Sequence, residues 1–358
     1  MFFNIIHSIF SQYNVIHYTT FRSICAFFTS FLIVFILMPR FILFLKSRQS
    51  EGQPIRDDGP QSHLKTKTGT PTMGGALIIS SVIFCSIVWG DLSNKYLWLC
   101  ISVMLGFGAI GAFDDYKKLS KHDYHGISPK TKFILQIIIS VCCCLPTIYC
   151  STPVDTMLYF PVFKNWIIDL SWFVIPWAVL VITGSSNAVN ITDGLDGLAI
   201  GSVITTAICF TFICYFAGHL NFADYLNIKY IDGLSEVCVF LSSIIGSSLG
   251  FLWYNVPPAK VFMGDTGSIS IGAVLGFISV ISKHEFLYAI IGGVFVIETI
   301  SDVLQVSYYK KTHKRLFKMA PIHHHFEKLG WSEPTIVFRF WIISVILGVL
   351  GMSLLKIR

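Results

Sequence analysis

The sequence predicts an all-α polytopic membrane protein with about ten transmembrane helices, and three observations carry the prediction. Apolar residues make up 54% of the 358 residues and charged residues only 13%, with a mean hydropathy of +0.67. A soluble chain of this length would carry far more charge on its surface. The apolar residues also gather into runs long enough to cross a hydrocarbon core of about 30 Å. Finally, no alternating ten-residue pattern competes, so the runs must be helices that satisfy their own backbone groups inside lipid. The N-terminus has no basic region ahead of a short apolar core and cleavage site, so no removable signal segment is expected. Residues 1–358 read as one integral-membrane domain.

Taken in order, the spans are expected near 21–45, 73–90, 96–113, 133–151, 168–186, 198–217, 235–254, 267–282, 286–307 and 336–355. The first ends at Lys46 and Arg48, and the second opens on the glycines of GTPTMGG. The third, Tyr96–Phe113, runs eighteen residues without a charge and stops at Asp114 and Asp115. The fourth follows Lys132 and holds Cys142–Cys144. Most of the ten cysteines lie in such spans, which favours buried small hydrophobes over disulfides. The fifth is interrupted by Pro176 and leads into the stretch NAVNITDGLDG, residues 187–197, which the sixth follows. The seventh ends at Asn255, the eighth follows FMGDTG, the ninth carries Glu298 and Asp302, and the tenth follows HHHFEKLGW. Residues 152–167 and 218–234 form the longer connections on the opposite side, and no chemistry is read in them.

Basic residues orient the chain. The loops after odd-numbered spans hold 17 Lys or Arg, against six in the opposite loops and tails. Odd-numbered exits are therefore expected in the cytoplasm, with both termini periplasmic. Every polar cluster falls at one of those exits, although the orientation was set by Lys and Arg alone. The agreement predicts a single active site at the cytoplasmic face.

Asp114, Asp115, Asp193, Asp196 and Asp265 all sit at ends of membrane helices. Acids there cost free energy and are functional candidates by default. Paired aspartates facing Lys117, Lys118 and Lys132 suit a hard divalent cation shared with phosphates, so Mg²⁺ is expected. Helix capping is the plainer account of Asp196 and Asp265, and capping is compatible with metal binding. No GxxxxGK[ST] loop occurs, which argues against a nucleotide-hydrolysing motor. His323, His324 and His325 cannot all aim at one zinc ion, and hydrogen bonding to phosphate or sugar fits them better than simple solvation. Phe262 stands three residues before Asp265, where it would either stack on a base or pack in the core. A lipid carrying a phosphate fits such a site, its head at the depth of the clusters and its tail in the bilayer. No nucleic-acid partner is expected.

At these motifs the chain resembles the polyprenyl-phosphate N-acetylhexosamine-1-phosphate transferases, the glycosyltransferase 4 family, and within it the muramoyl-pentapeptide branch. GAFDDYKK and NAVNITDGLDGLA carry the family resemblance, while GTPTMGG, FMGDTGS and PIHHHFEKLGW extend it over nearly the whole chain. The resemblance implies a multi-pass protein of the bacterial inner membrane. It implies transfer of phospho-MurNAc-pentapeptide from UDP-MurNAc-pentapeptide to undecaprenyl phosphate, with Mg²⁺, giving lipid I and UMP. A homodimer is compatible with it. It makes Asp114, Asp115, Asp265 and His323–His325 catalytic, with Asp115 and Asp265 on the metal and Asp114 serving the lipid phosphate. Asn187, Asn190, Asp193, Asp196, Asn255 and Phe262 are implied to line the uridine and substrate pocket, with Lys67, Thr72, Lys132 and Gln305 as further pocket positions. The stretch from His63 to Gly69 is a residue longer than usual, which leaves Lys65 as an alternative to Lys67. A GlcNAc-1-phosphate transferase of the same superfamily is the nearer alternative. A transporter is the distant one, since transporters bind near the bilayer midplane.

Overall fold

A computed structural model of the chain describes residues 14–49, 52, 67, 69–121, 126–149, 156–161, 163 and 166–356. Its helices are α1 (Thr19–Arg48), α2 (Gly75–Trp89), α3 (Lys95–Lys121), α4 (Pro129–Tyr149), α5 (Val174–Thr192) and α6 (Leu198–Ala217). They continue with α7 (Leu220–Leu226), α8 (Val237–Asn255), α9 (Gly264–Ile281), α10 (Glu285–Ile291), α11 (Gly293–Thr312), α12 (Ile322–Lys328) and α13 (Glu333–Leu354). Eight are long and apolar enough to cross a membrane. The pair α10 and α11 makes a ninth, bent by 85°, and α2 is a shorter apolar helix. At 1.5 Å per residue α2 is only roughly 22 Å long. The all-α polytopic class and the ten apolar segments expected from the sequence are thus present.

The bundle is built around α9, which is buried along its whole length. Helices in lipid gain little from burying apolar faces, so close approach depends on small residues and interhelical hydrogen bonds. The glycines and serines of GDTGSISIGAVLG supply both against α3 and α5. Ser185 Oγ donates to Gly272 O at 2.5 Å and Ser186 Oγ to Ile269 O at 2.9 Å, which locks α5 onto α9.

Two expectations need correction. The fifth span begins at Val174, six residues later than expected, and runs on to Thr192. Ile167–Asp169 instead pairs antiparallel with Met157–Tyr159 as a small hairpin, β1 and β2. Pro176 does not interrupt the helix, because it stands third from the start, where its missing N–H has no intrahelical partner to lose. The ninth span is not continuous. Gly292 ends α10 and caps α11, and the two axes diverge there. Among the described residues the nine cysteines are free, as their apolar setting predicted.

Candidate active site

The segment before α2 is zipped onto the segment before α9. Phe262 N donates to Pro71 O, Gly74 N to Phe262 O and Gly75 N to Met263 O, each at 2.9 Å. This brings Thr72 beside the first turn of α9. Gly264 opens that turn at φ +74°, and a Cβ there would lie 2.7 Å from both Asp115 Oδ2 and Thr72 Oγ1. Asp115 then caps α9 from another helix. Its Oδ1 accepts from Asp265 N at 3.1 Å, and its Oδ2 accepts from Thr266 N at 2.9 Å and Thr266 Oγ1 at 2.7 Å. A carboxylate at a helix N-terminus satisfies free N–H groups and the positive end of the dipole together.

Asp265, held this way, faces Asp114. Lys118 Nζ lies 2.9 Å from both Asp114 Oδ2 and Asp265 Oδ2, and Lys132 Nζ lies 2.7 Å from Asp265 Oδ2 and 3.4 Å from Asp114 Oδ2. Asp265 Oδ1 accepts from Asn190 Nδ2 at 2.9 Å, and Asp114 Oδ1 from Ile127 N at 2.5 Å. Two carboxylate oxygens therefore converge on a place already filled by positive charge. Among the described residues no group of three or more His, Cys, Asp or Glu could hold an ion by protein ligands alone. The paired oxygens nonetheless fit Mg²⁺, which takes one or two carboxylates and completes its shell with phosphate oxygens and water.

The turn Asp193–Gly197 forms the neighbouring wall. Lys67 is buried between Asp196 Oδ1 at 2.8 Å and Glu333 Oε1 at 2.7 Å, and its ammonium lies 5.9 Å from the Phe262 ring. Burial alone would lower the lysine's pKa, but Asp196 and Glu333 outweigh it and the net shift is upward. Glu333 Oε1 also accepts from Asp196 N at 2.8 Å, Asn255 Oδ1 accepts from Gly197 N at 3.0 Å, and Trp341 Nε1 donates to Gly197 O at 3.1 Å. Asp193 is pushed well above the usual carboxylate range by burial, and then by Asp265 and Asp196, against the pull of Lys67. The site thus combines a carboxylate pair, three lysines and a rigid polar turn at one end of the bundle.

The glycosyl transferase family 4 model matches residues 96–283. The phospho-N-acetylmuramoyl-pentapeptide-transferase of Pelagibacter ubique (strain HTCC1062) is 51% identical over 362 residues, covering all of both chains. The one from Bartonella quintana (strain Toulouse) is 48% identical over 358 residues, covering 100% of this chain and 99% of its own. The chain belongs to glycosyl transferase family 4. It is a transferase, and the segment matched to the family holds Asp114, Asp115, Lys132, Asn190, Asp193, Asp196 and Asp265.

The three histidines lie beyond that segment, on α12, and are not equivalent. His323 is fully buried, with Nδ1 2.9 Å from Glu298 Oε2 of α11. His324 Nδ1 lies 2.6 Å from Glu327 Oε2 in the next turn. His325 Nδ1 accepts from Lys318 N at 3.1 Å. Gln305 is turned to the same connection, since its Oε1 accepts from Leu316 N and Phe317 N. Asn187 stands one turn before Asn190 and donates to Gln136 Oε1 at 2.9 Å. Hence Asp114, Asp115, Asp265, Lys132 and Asn190 meet directly and Lys67, Asp196, Asn255 and Phe262 form the adjoining wall, whereas the hydrogen bonds of Gln305 go to the Leu316–Phe317 connection and those of Asn187 to Gln136 and Thr183. Lys65 lies outside the described residues. Glu333 was missed at the sequence level; its only signal was an acid just ahead of the last apolar span, in what is the first turn of α13.

Proposed function

We propose that this family 4 transferase moves phospho-MurNAc-pentapeptide from UDP-MurNAc-pentapeptide to undecaprenyl phosphate, giving lipid I and UMP. The observation that carries this reading is the pairing of Asp114 and Asp265 across Lys118 and Lys132 at the mouth of the membrane helices. An oxygen of the lipid phosphate attacks the sugar-bearing phosphorus of the nucleotide, a new pyrophosphate bond forms, and the old one breaks to release UMP. One such bond replaces another, so the reaction is near thermoneutral and reversible. In phosphoryl transfer most of the catalysis is positioning and charge neutralisation.

Mg²⁺, held by Asp265 and Asp114, would supply that neutralisation at the diphosphate. Lys118 and Lys132, now on the carboxylates, are placed to take phosphate oxygens. Asp115 fixes Asp265 through the α9 backbone, and Asn190 fixes its outer oxygen. The hydrogen bonds therefore support a different division of labour from the one the resemblance implies, with Asp114 beside Asp265 and Asp115 as the cap. No dedicated base is required, because a phosphate monoester has a second pKa of about 6 and is mostly ionised at neutral pH. Phe262, Asn255 and the Asp193–Gly197 turn receive the uridine and sugar. The polar end of the bundle faces the cytoplasm of a bacterial inner membrane, where the nucleotide substrate is made. The lipid tail stays in the bilayer, gaining about 0.8 kcal/mol per buried CH₂.

Exchange of radiolabelled UMP into UDP-MurNAc-pentapeptide, with purified protein and the lipid phosphate, tests the reading. Exchange should require Mg²⁺, stop in EDTA and return when Mg²⁺ is restored. Turnover of UDP-GlcNAc in preference to the muramoyl substrate would replace this substrate assignment, and full exchange in chelator would remove the metal.

A further inference from the structure

Glu298 and His323 form a pair that the transfer reaction leaves without a task. Both side chains are fully buried, Glu298 in the second turn of α11 and His323 on α12. With Glu298 Oε2 as the acceptor, the ring proton sits on His323 Nδ1 and the plane of the imidazole is fixed. His323 Nε2 is buried and has no hydrogen-bond partner among the described residues. It is aimed at the backbone of Gly194. A methyl built on Gly194 would land on the ring edge, 3.0 Å from Cε1 and closer still to Nε2.

Gly194 has no left-handed φ, so its own conformation would accept an L residue. What requires glycine there is the imidazole. The far end of the same turn is held by hydrogen bonds that it donates to Glu333 and Asn255 and accepts from Trp341. The Asp193 end rests on His323.

We infer that Glu298 is a positioning residue, which acts through His323 to set the seat of the Asp193–Gly197 turn in the nucleotide pocket. This rests on the proposed transferase reading, in which that turn receives the uridine. In this arrangement His323 braces the pocket from behind.

The test is a double-mutant cycle on UMP affinity, measured by calorimetry on the full-length protein. Gly194→Ala should weaken UMP binding about tenfold, and His323→Ala by a similar factor. In the His323→Ala background the extra methyl should cost less than about twofold, because nothing remains for it to strike. Losses that multiply instead would overturn the inference. Glu298→Ala should weaken UMP as His323→Ala does, whereas Glu298→Gln, whose amide oxygen still accepts from Nδ1, should retain most of the affinity. Equal losses for Gln and Ala would point to charge rather than ring placement and would sink the proposal. A ligand-free readout separates this inference from the reading beneath it. The ¹⁵N-labelled Gly194 amide should shift in Glu298→Ala and stay near its wild-type position in Glu298→Gln. A wild-type protein that binds no UMP would remove the transferase reading, while an unmoved Gly194 amide would remove the strut alone.

Discussion

Asp114 and Asp115 are neighbours in sequence and face different partners. Successive residues on a helix point about 100° apart, which sends Asp114 to the lysines and Asp115 to the first turn of α9. Asp114→Asn should therefore lose turnover equally from pH 6 to 8.5 and recover in part with added Mg²⁺. A defect that is worst near pH 6 and fades at high pH would make Asp114 a base instead. Asp193 gives a prediction about stability. Its carboxyl is raised in the folded protein, so ionising it opposes folding. That penalty is absent at low pH, where the group is protonated folded or unfolded. It grows as pH rises above the ordinary carboxylate value and is complete once pH exceeds the raised one. Asp193→Asn should melt higher than wild type at pH 8, with the gain vanishing near pH 4, while transfer activity falls. The aspartates were legible in the sequence because acids stand out against apolar helix ends. Glu333 and its pairing with Lys67 were not, since 266 residues separate the two and no local pattern links them.

At the scale of elements, the position of the site is set by how closely α9 approaches its neighbours. A Cβ on Gly272 would lie 2.8 Å from Ser185 O and 2.9 Å from Ser186 Cα on α5. Gly272→Val should force these helices apart and cost about 1–3 kcal/mol, seen as a lower melting temperature in thermal unfolding. Activity should fall with it, because Asn190 on α5 must still reach Asp265 on α9. Hydrophobic runs located ten apolar segments but not their ends. Ile167, Ile168 and Trp172 look like the opening of a span, yet they are exposed outside the helix that follows. The polar end of α5, residues 187–192, looks like a loop, yet it is helical and Asn190 finds its partners in Asp265 and Ser268 on the first turns of α9. Hydropathy measures a segment against lipid and is blind to such partners.

For the whole molecule, the basic bias predicts orientation. Lys328 and Lys229 are exposed in connections at opposite ends of the bundle. In a background cleared of native thiols, a cysteine at Lys229 should react with an impermeant reagent added to intact cells, and one at Lys328 should not. The reverse pattern would invert the membrane orientation. The convergence of five loops at one end was legible because charge bias and polar motifs agreed on the same exits. Which loops touch was not, since that depends on packing around α9. The burial of α9 carries one more consequence. Asp265 hangs from a helix with no lipid-facing side, while α1, α4 and α13 turn most of their surface outward. A change in bilayer thickness acts on lipid-facing helices through tilt and mismatch. Swapping short acyl chains for long ones should therefore alter melting temperature more than the turnover number, leaving the reaction centre mechanically shielded from the membrane that supplies one of its substrates.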